Sequence, residues 1–175
     1  MKILIFMMIV SNMLFAEGFS LKSKDLLGQL SENQVFNSFG CDGKNMSPQL
    51  MWENIPKGAK SFAITMYDPD APTGSGWWHW VVFNIPKDTK QISTDASALG
   101  KLPKGSIQSK TNYGKSGFGG ACPPKGSKAH AYETTVYALD VEKLDLDKDA
   151  NPALVGFMIN SHIIAKSSII TYYKR

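Results

Sequence analysis

A chain of 175 residues with 43% hydrophobic and 19% charged residues is the size and composition of one globular domain, and it carries no low-complexity tract or long charge run of the kind that keeps a segment disordered. Its net charge of +4 comes from scattered lysines rather than from basic patches interleaved with aromatics, so the usual footprint of a nucleic-acid binder is missing. No internal repeat of useful period is present, which excludes a solenoid.

Residues 1–16 read as a secretory signal peptide. Lys2 gives a positive start, Ile3 to Val10 is unbroken apolar sequence, and Met13-Leu14-Phe15-Ala16 resumes it before polar Glu17. The segment falls short of the roughly 20 apolar residues that a spanning helix needs. No cysteine follows it for a lipid anchor, and no later stretch is a transmembrane candidate. Cleavage after Ala16 would leave residues 17–175 as a single periplasmic or secreted domain, with the loss of Lys2 lowering the net charge to +3. Both cysteines, Cys41 and Cys122, lie in that domain beside glycine or proline. An oxidising compartment favours one disulfide between them, with two buried free thiols as the alternative.

Farther along, Phe62 to Tyr67 is a short apolar run that reads as a buried strand. Trp78 to Ile85 is aromatic and β-branched and stops at Pro86, which makes a second strand. Ala131 to Leu139 gives a third. One helix is signalled, with Asn151 as its cap, Pro152 at its first position and Ala153 to Ile159 as its body. Ser167 to Tyr173 reads as a fourth strand. Strands that do not alternate with helices argue for an antiparallel, mostly β domain.

Four segments concentrate reactive residues. Asp68-Pro69-Asp70-Ala71-Pro72 holds two carboxylates in a stiff turn past a strand end. Paired carboxylates suit acid–base work, metal binding or hydrogen bonding, and an isolated pair of this kind also suits a solvated turn. Trp77-Trp78-His79-Trp80 puts one imidazole in an apolar setting, where desolvation favours its neutral form. Tyr113 to Gly126 is glycine-rich and free to turn backbone N–H groups toward an anion. Its Gly114-Lys115-Ser116 is no nucleotide loop, because Ser109 stands where that motif needs glycine and no helix can follow. His130 and Tyr132, two apart on a strand, share one face and can enter one site.

Taken in order, these segments resemble the phosphatidylethanolamine-binding (Raf kinase inhibitor-like) family. The likeness rests on Asp-Pro-Asp-Ala-Pro at 68–72, His79 ahead of the β run to Asn84-Ile85-Pro86, Gly119-Gly120 with Pro123-Pro124, His130-Ala131-Tyr132, and Val136 to Asp140. Gly43 to Trp52 is similar to the family's bacterial branch. The resemblance implies a β-sandwich with few short helices and one small pocket for phosphate-like or carboxylate anions, including a phospholipid head group. By motif matching, that pocket would hold Asp68, Asp70, His79, Pro124, His130 and Tyr132, with Trp77 on its wall. Backbone N–H groups of Gly120 to Cys122 would form its rim, and His79 and His130 would donate ring protons to the anion. The vertebrate branch carries a C-terminal helix beside the pocket, whereas this chain ends in strand-like sequence, so lid behaviour is not carried over. The resemblance also implies a possible homodimer. It implies no cofactor.

The leading expectation is an exported, non-enzymatic binding protein for a small anion or head group. A kinase- or protease-inhibitor module acting on a protein partner is one alternative. A hydrolase with a metal on Asp68, Asp70, His79 and His130 is another, although no tight ligand spacing supports it.

Overall fold

The computed structural model describes residues 18–175, so the expected signal peptide at 1–16 lies outside the described residues. The described chain folds as a mostly β domain with antiparallel sheets and one α-helix, as the strand-rich sequence implies. The strands are β1 (Ser20–Lys22), β2 (Leu50–Glu53), β3 (Ser61–Asp68), β4 (Trp77–Pro86), β5 (Gln91–Ile92), β6 (Ile107–Gln108), β7 (His130–Leu139) and β8 (Ile163–Tyr173). The helix α1 spans Pro152–Asn160. A three-stranded sheet has the order β1-β2-β5, and a five-stranded sheet the order β6-β4-β3-β7-β8.

Alternation along β3 and β4 explains why the five-stranded sheet is covered on both faces. Phe62, Ile64 and Met66 of β3 and Trp80 and Val82 of β4 pack with Leu50, Trp52 and Ile92 of the smaller sheet, which makes the core of a sandwich. Ala63, Val81 and Phe83 point the other way and bury Val155 and Ile159, one turn apart on α1. The helix begins where the sequence signals it, since Asn151 Oδ1 accepts the Ala153 N–H at 2.8 Å and Pro152 follows the cap.

A bulge keeps both faces filled at the far end of β4. Phe62 pairs with Ile85 but Ile64 pairs with Val82, so two residues of β4 oppose one of β3. Asn84 takes the extra position at φ 57°, and its carboxamide exchanges hydrogen bonds with the Leu144 backbone. Strand β8 starts four residues earlier than Ser167. Ile163 and Ala165 already pair with Leu139 and Ala138, and Lys166, which interrupts the apolar pattern, lies on the solvent side.

The antiparallel order brings three strand ends together. Asp68 at the end of β3 pairs with Trp77 at the start of β4, and His130 opens β7 next to β3. The long connection between β6 and β7 returns over this same end.

Candidate functional site

The two carboxylates of the Asp-Pro-Asp turn have separate fates. Asp68 is buried, with one oxygen accepting the Asp70 N–H at 2.8 Å and the other accepting His130 Nδ1–H at 2.8 Å. Asp70 turns away from this centre and binds Lys128 Nζ at 2.7 Å and the Ala131 N–H at 2.9 Å. The hydrogen bond from Lys128, and then that from Ala131, hold its carboxyl below the usual range. Asp70 therefore braces the turn against the start of β7 and does not line the cavity, contrary to the motif-based expectation.

His79 is 2% exposed, and its Nδ1 lies 2.8 Å from the Gly119 carbonyl and 3.1 Å from that of Gly120. Carbonyls only accept, so Nδ1 carries the proton and Nε2 is left with a lone pair when the ring is neutral. Burial drives the imidazole down to about 4, against the opposing pull of the Gly119 hydrogen bond and the Asp68 charge. Neutral His79 is thus the form at physiological pH. In His130 the aspartate takes Nδ1–H, which again leaves Nε2 as the free edge.

The carbonyl loop that holds His79 is itself pinned. Asn45, in the left-handed region at φ 53°, donates to the Phe118 carbonyl at 3.2 Å and accepts the Gly120 N–H at 2.7 Å. A side chain at Gly120 would collide with the Gln34 carbonyl, so this close approach requires glycine. The Ala121 N–H goes to the Gln34 carbonyl at 2.9 Å. The rim of N–H groups expected from Gly120 to Cys122 is therefore mostly spent inside the protein, leaving Cys122 alone of the three. Gly120 takes part through its carbonyl.

A cavity of about 170 Å³ opens at this end of the sandwich. Asp68, His79 and His130 form its polar part, Trp77 and Tyr113 its aromatic wall, and Phe39, Ala71, Pro72, Thr73, Cys122, Pro123 and Pro124 complete the lining. Trp77 Nε1 is buried and directed toward the Tyr113 side chain, whose ring lies 5.2 Å away, without a well-formed hydrogen bond. Tyr113 donates its hydroxyl to the Gly120 carbonyl at 2.9 Å, and burial together with the Asp68 charge pushes its pKa up. Tyr132 is fully buried with its ring edge-on to His79 at 5.1 Å, and its hydroxyl has no partner. It sits behind His79 rather than on the cavity wall, which corrects its expected place.

Cys41 and Cys122 are joined in a disulfide that ties the Phe39 loop to the Pro123-Pro124 loop. Phe39 was missed by sequence reasoning. It stands 69% exposed at φ 57° and packs against Phe36 and Tyr113. A lone phenylalanine in a Gly/Ser loop gives no periodic signal; only its place two residues before Cys41 could have drawn attention to it. Among the described residues no group of three or more His, Cys, Asp or Glu side chains is placed to hold a metal ion. What the cavity offers a ligand is two imidazole Nε2 edges, one buried carboxylate and a mostly apolar, aromatic wall.

Comparison with known proteins agrees with this architecture. The family model described as phosphatidylethanolamine-binding protein matches residues 28–174. The chain is 51% identical to Escherichia coli (strain K12) YbcL over 148 residues, covering 83% of this chain and 81% of YbcL. It is 49% identical to YbhB of the same organism over 146 residues, covering 83% and 92%. The crystal structure of E. coli YbcL, described as a member of the mammalian PEBP family, superposes with a TM-score of 0.88 at 47% identity over 91% of this chain and 99% of that one.

Proposed function

The chain belongs to the phosphatidylethanolamine-binding protein family, and we propose that it is an exported, non-enzymatic binding protein that takes a small phosphate-type anion, free or as a head group, in the cavity between Asp68, His79 and His130. The observation that carries this reading is the convergence of His79, His130 and the buried Asp68 carboxylate on one cavity of about 170 Å³, with each imidazole engaged through Nδ1 and its Nε2 edge left open. Polar groups shielded from water are rarely left without a partner in native proteins, so two open imidazole edges on one small cavity mark a place for a ligand. The volume suits a phosphate group with a short substituent, being below the several hundred Å³ typical of sites for larger organic ligands.

Binding without turnover fits the polar groups present. Asp68 and His130 satisfy each other, and among the described residues no serine or cysteine hydrogen-bonds either imidazole; Cys122 is tied up in the disulfide. Export is supported by the leader-like residues 1–16 and by a disulfide, which persists in oxidising compartments. Calorimetric titration with phosphoethanolamine tests the binding. Saturable heat at one site per chain, lost in His130→Ala, is expected; no heat with the folded wild type refutes it. N-terminal sequencing of protein recovered outside the cytoplasm, expected to begin at Glu17, tests the export.

A further inference from the structure

We propose that the cavity selects the singly protonated form of a phosphate monoester, with His79 accepting the ligand's P–OH proton at Nε2 rather than donating to it. The inference rests on the anion-pocket reading above and specifies the ligand's protonation state.

The argument is one of donor and acceptor inventory. Both carbonyls on His79 Nδ1 demand a proton there, at 2.8 and 3.1 Å. They cannot swing aside, because Asn45 clamps the loop at the Phe118 carbonyl and the Gly120 N–H, and Tyr113 donates to the Gly120 carbonyl. The neutral ring therefore shows the cavity an acceptor. To become a donor at Nε2 it would have to take a second proton inside a 2% exposed site, and burial opposes that down to about pH 4. The groups that face His79 from neighbouring elements do not alter this balance enough. Asp68 at the end of β3 favours the charged ring and His130 on β7 disfavours it, while Tyr113 and Tyr132 pack edge-on as neutral phenols.

A fully ionised phosphate has acceptors only. It would set lone pairs against His79 Nε2 and sit beside the buried Asp68 carboxylate, both unfavourable in a site that excludes water. The monoanion resolves the conflict. Its P–OH donates to His79 Nε2, and with one negative charge fewer it is repelled less by the Asp68 carboxylate. No proton is transferred and no bond is broken.

The test uses the wild-type protein and needs no substitution. Binding of ethyl phosphate, ethylphosphonate, ethyl sulfate and ethylammonium is measured by calorimetry from about pH 5 to about pH 9, and the His79 tautomer is read from ¹⁵N NMR. Ethyl phosphate affinity should hold steady below the ligand's second pKa of about 6 and fall about tenfold per pH unit above it, as linkage requires of a ligand bound in its protonated form. Ethylphosphonate, the weaker acid, should show the same fall displaced to higher pH. Ethyl sulfate, which carries no proton in this range, should bind at least about tenfold more weakly, the cost of an unpaired buried acceptor. NMR should show Nδ1–H with Nε2 unprotonated throughout.

Phosphate and phosphonate curves with one shared midpoint would place the titration on the protein and overturn the inference alone. Ethyl sulfate matching ethyl phosphate, ethylammonium matching it, or an Nε2–H tautomer would each do the same. No binding by any anionic probe at any pH would instead remove the anion-pocket reading, and this inference with it.

Discussion

Strand β4 runs through two different environments. From Val81 to Ile85 every side chain is buried and matched by packing, with Val81 and Phe83 under α1 and Val82 and Ile85 in the sandwich core. At its other end Trp77 and His79 are also largely shielded, but both line a cavity, and the Nε2 edge of His79 is left open there. The first region is built for stability and the second withholds contacts that a ligand could supply. The two open imidazole edges and the Asp68 carboxylate that meet at this strand end mark the site more sharply than the cavity's size does.

The disulfide is the strongest available handle on the pocket end. It closes a separation of 81 residues, for which the chain-entropy account gives about 4.5 kcal/mol. The Cys41→Ser/Cys122→Ser double variant should lose about that much in urea denaturation and bind phosphoethanolamine more weakly, because Phe39 and Pro123 flank the bridge. A loss below about 1 kcal/mol would mean that the rim is held by other contacts.

At the packed end Phe83→Ala should cost about 4 kcal/mol by the same measurement, since it empties a fully buried ring position beneath Val155 and Ile159. Its affinity for phosphoethanolamine at a temperature where it remains folded should match that of the wild type. A matching fall in affinity would show that the two regions are not separable.

Between pH 6.5 and about 4, acid should act on the pocket end through His79. His79 is depressed from an ordinary value of 6.5 to about 4, so the unfolded chain takes up its proton first as pH falls. The stability contributed by the neutral ring is complete above pH 6.5 and is lost progressively as pH falls to about 4. A shift of that size corresponds to about 3 kcal/mol. Wild type and His79→Gln should therefore differ in the slope of stability against pH within that window, and run parallel above it. Parallel curves throughout would contradict the buried neutral imidazole.

The packed region was the more legible of the two in the sequence. The apolar runs at 62–67 and 78–85 announce β3 and β4, and Asn151-Pro152 announces α1, because those signals are local. The short strands β1, β5 and β6 carried no such signal; two or three residues are too few for a period to show. The pocket was legible in part. The order of motifs named Asp68, Trp77, His79, Pro124 and His130, which line one cavity, and failed where a distant residue decides which way a group turns. Lys128 claims Asp70 and Asn45 claims the Gly120 N–H, from 58 and 75 residues away. Nothing in the local sequence of either residue reports that partner. Tyr132 obeyed the two-residue rule that puts it on the face of His130, but the ring of His79 lies between it and the cavity.

Two indole N–H groups allow the most direct test. Trp52 and Trp77 both bury Nε1, Trp52 in the sandwich core and Trp77 in the cavity wall beside Tyr113. Their proton–nitrogen cross-peaks can be followed while ethyl phosphate is added at about pH 6, near the ligand's second pKa. The Trp77 cross-peak should shift and saturate while that of Trp52 stays in place. A Trp77 cross-peak unmoved at saturating ligand, or movement confined to Trp52, would contradict the placement of the site.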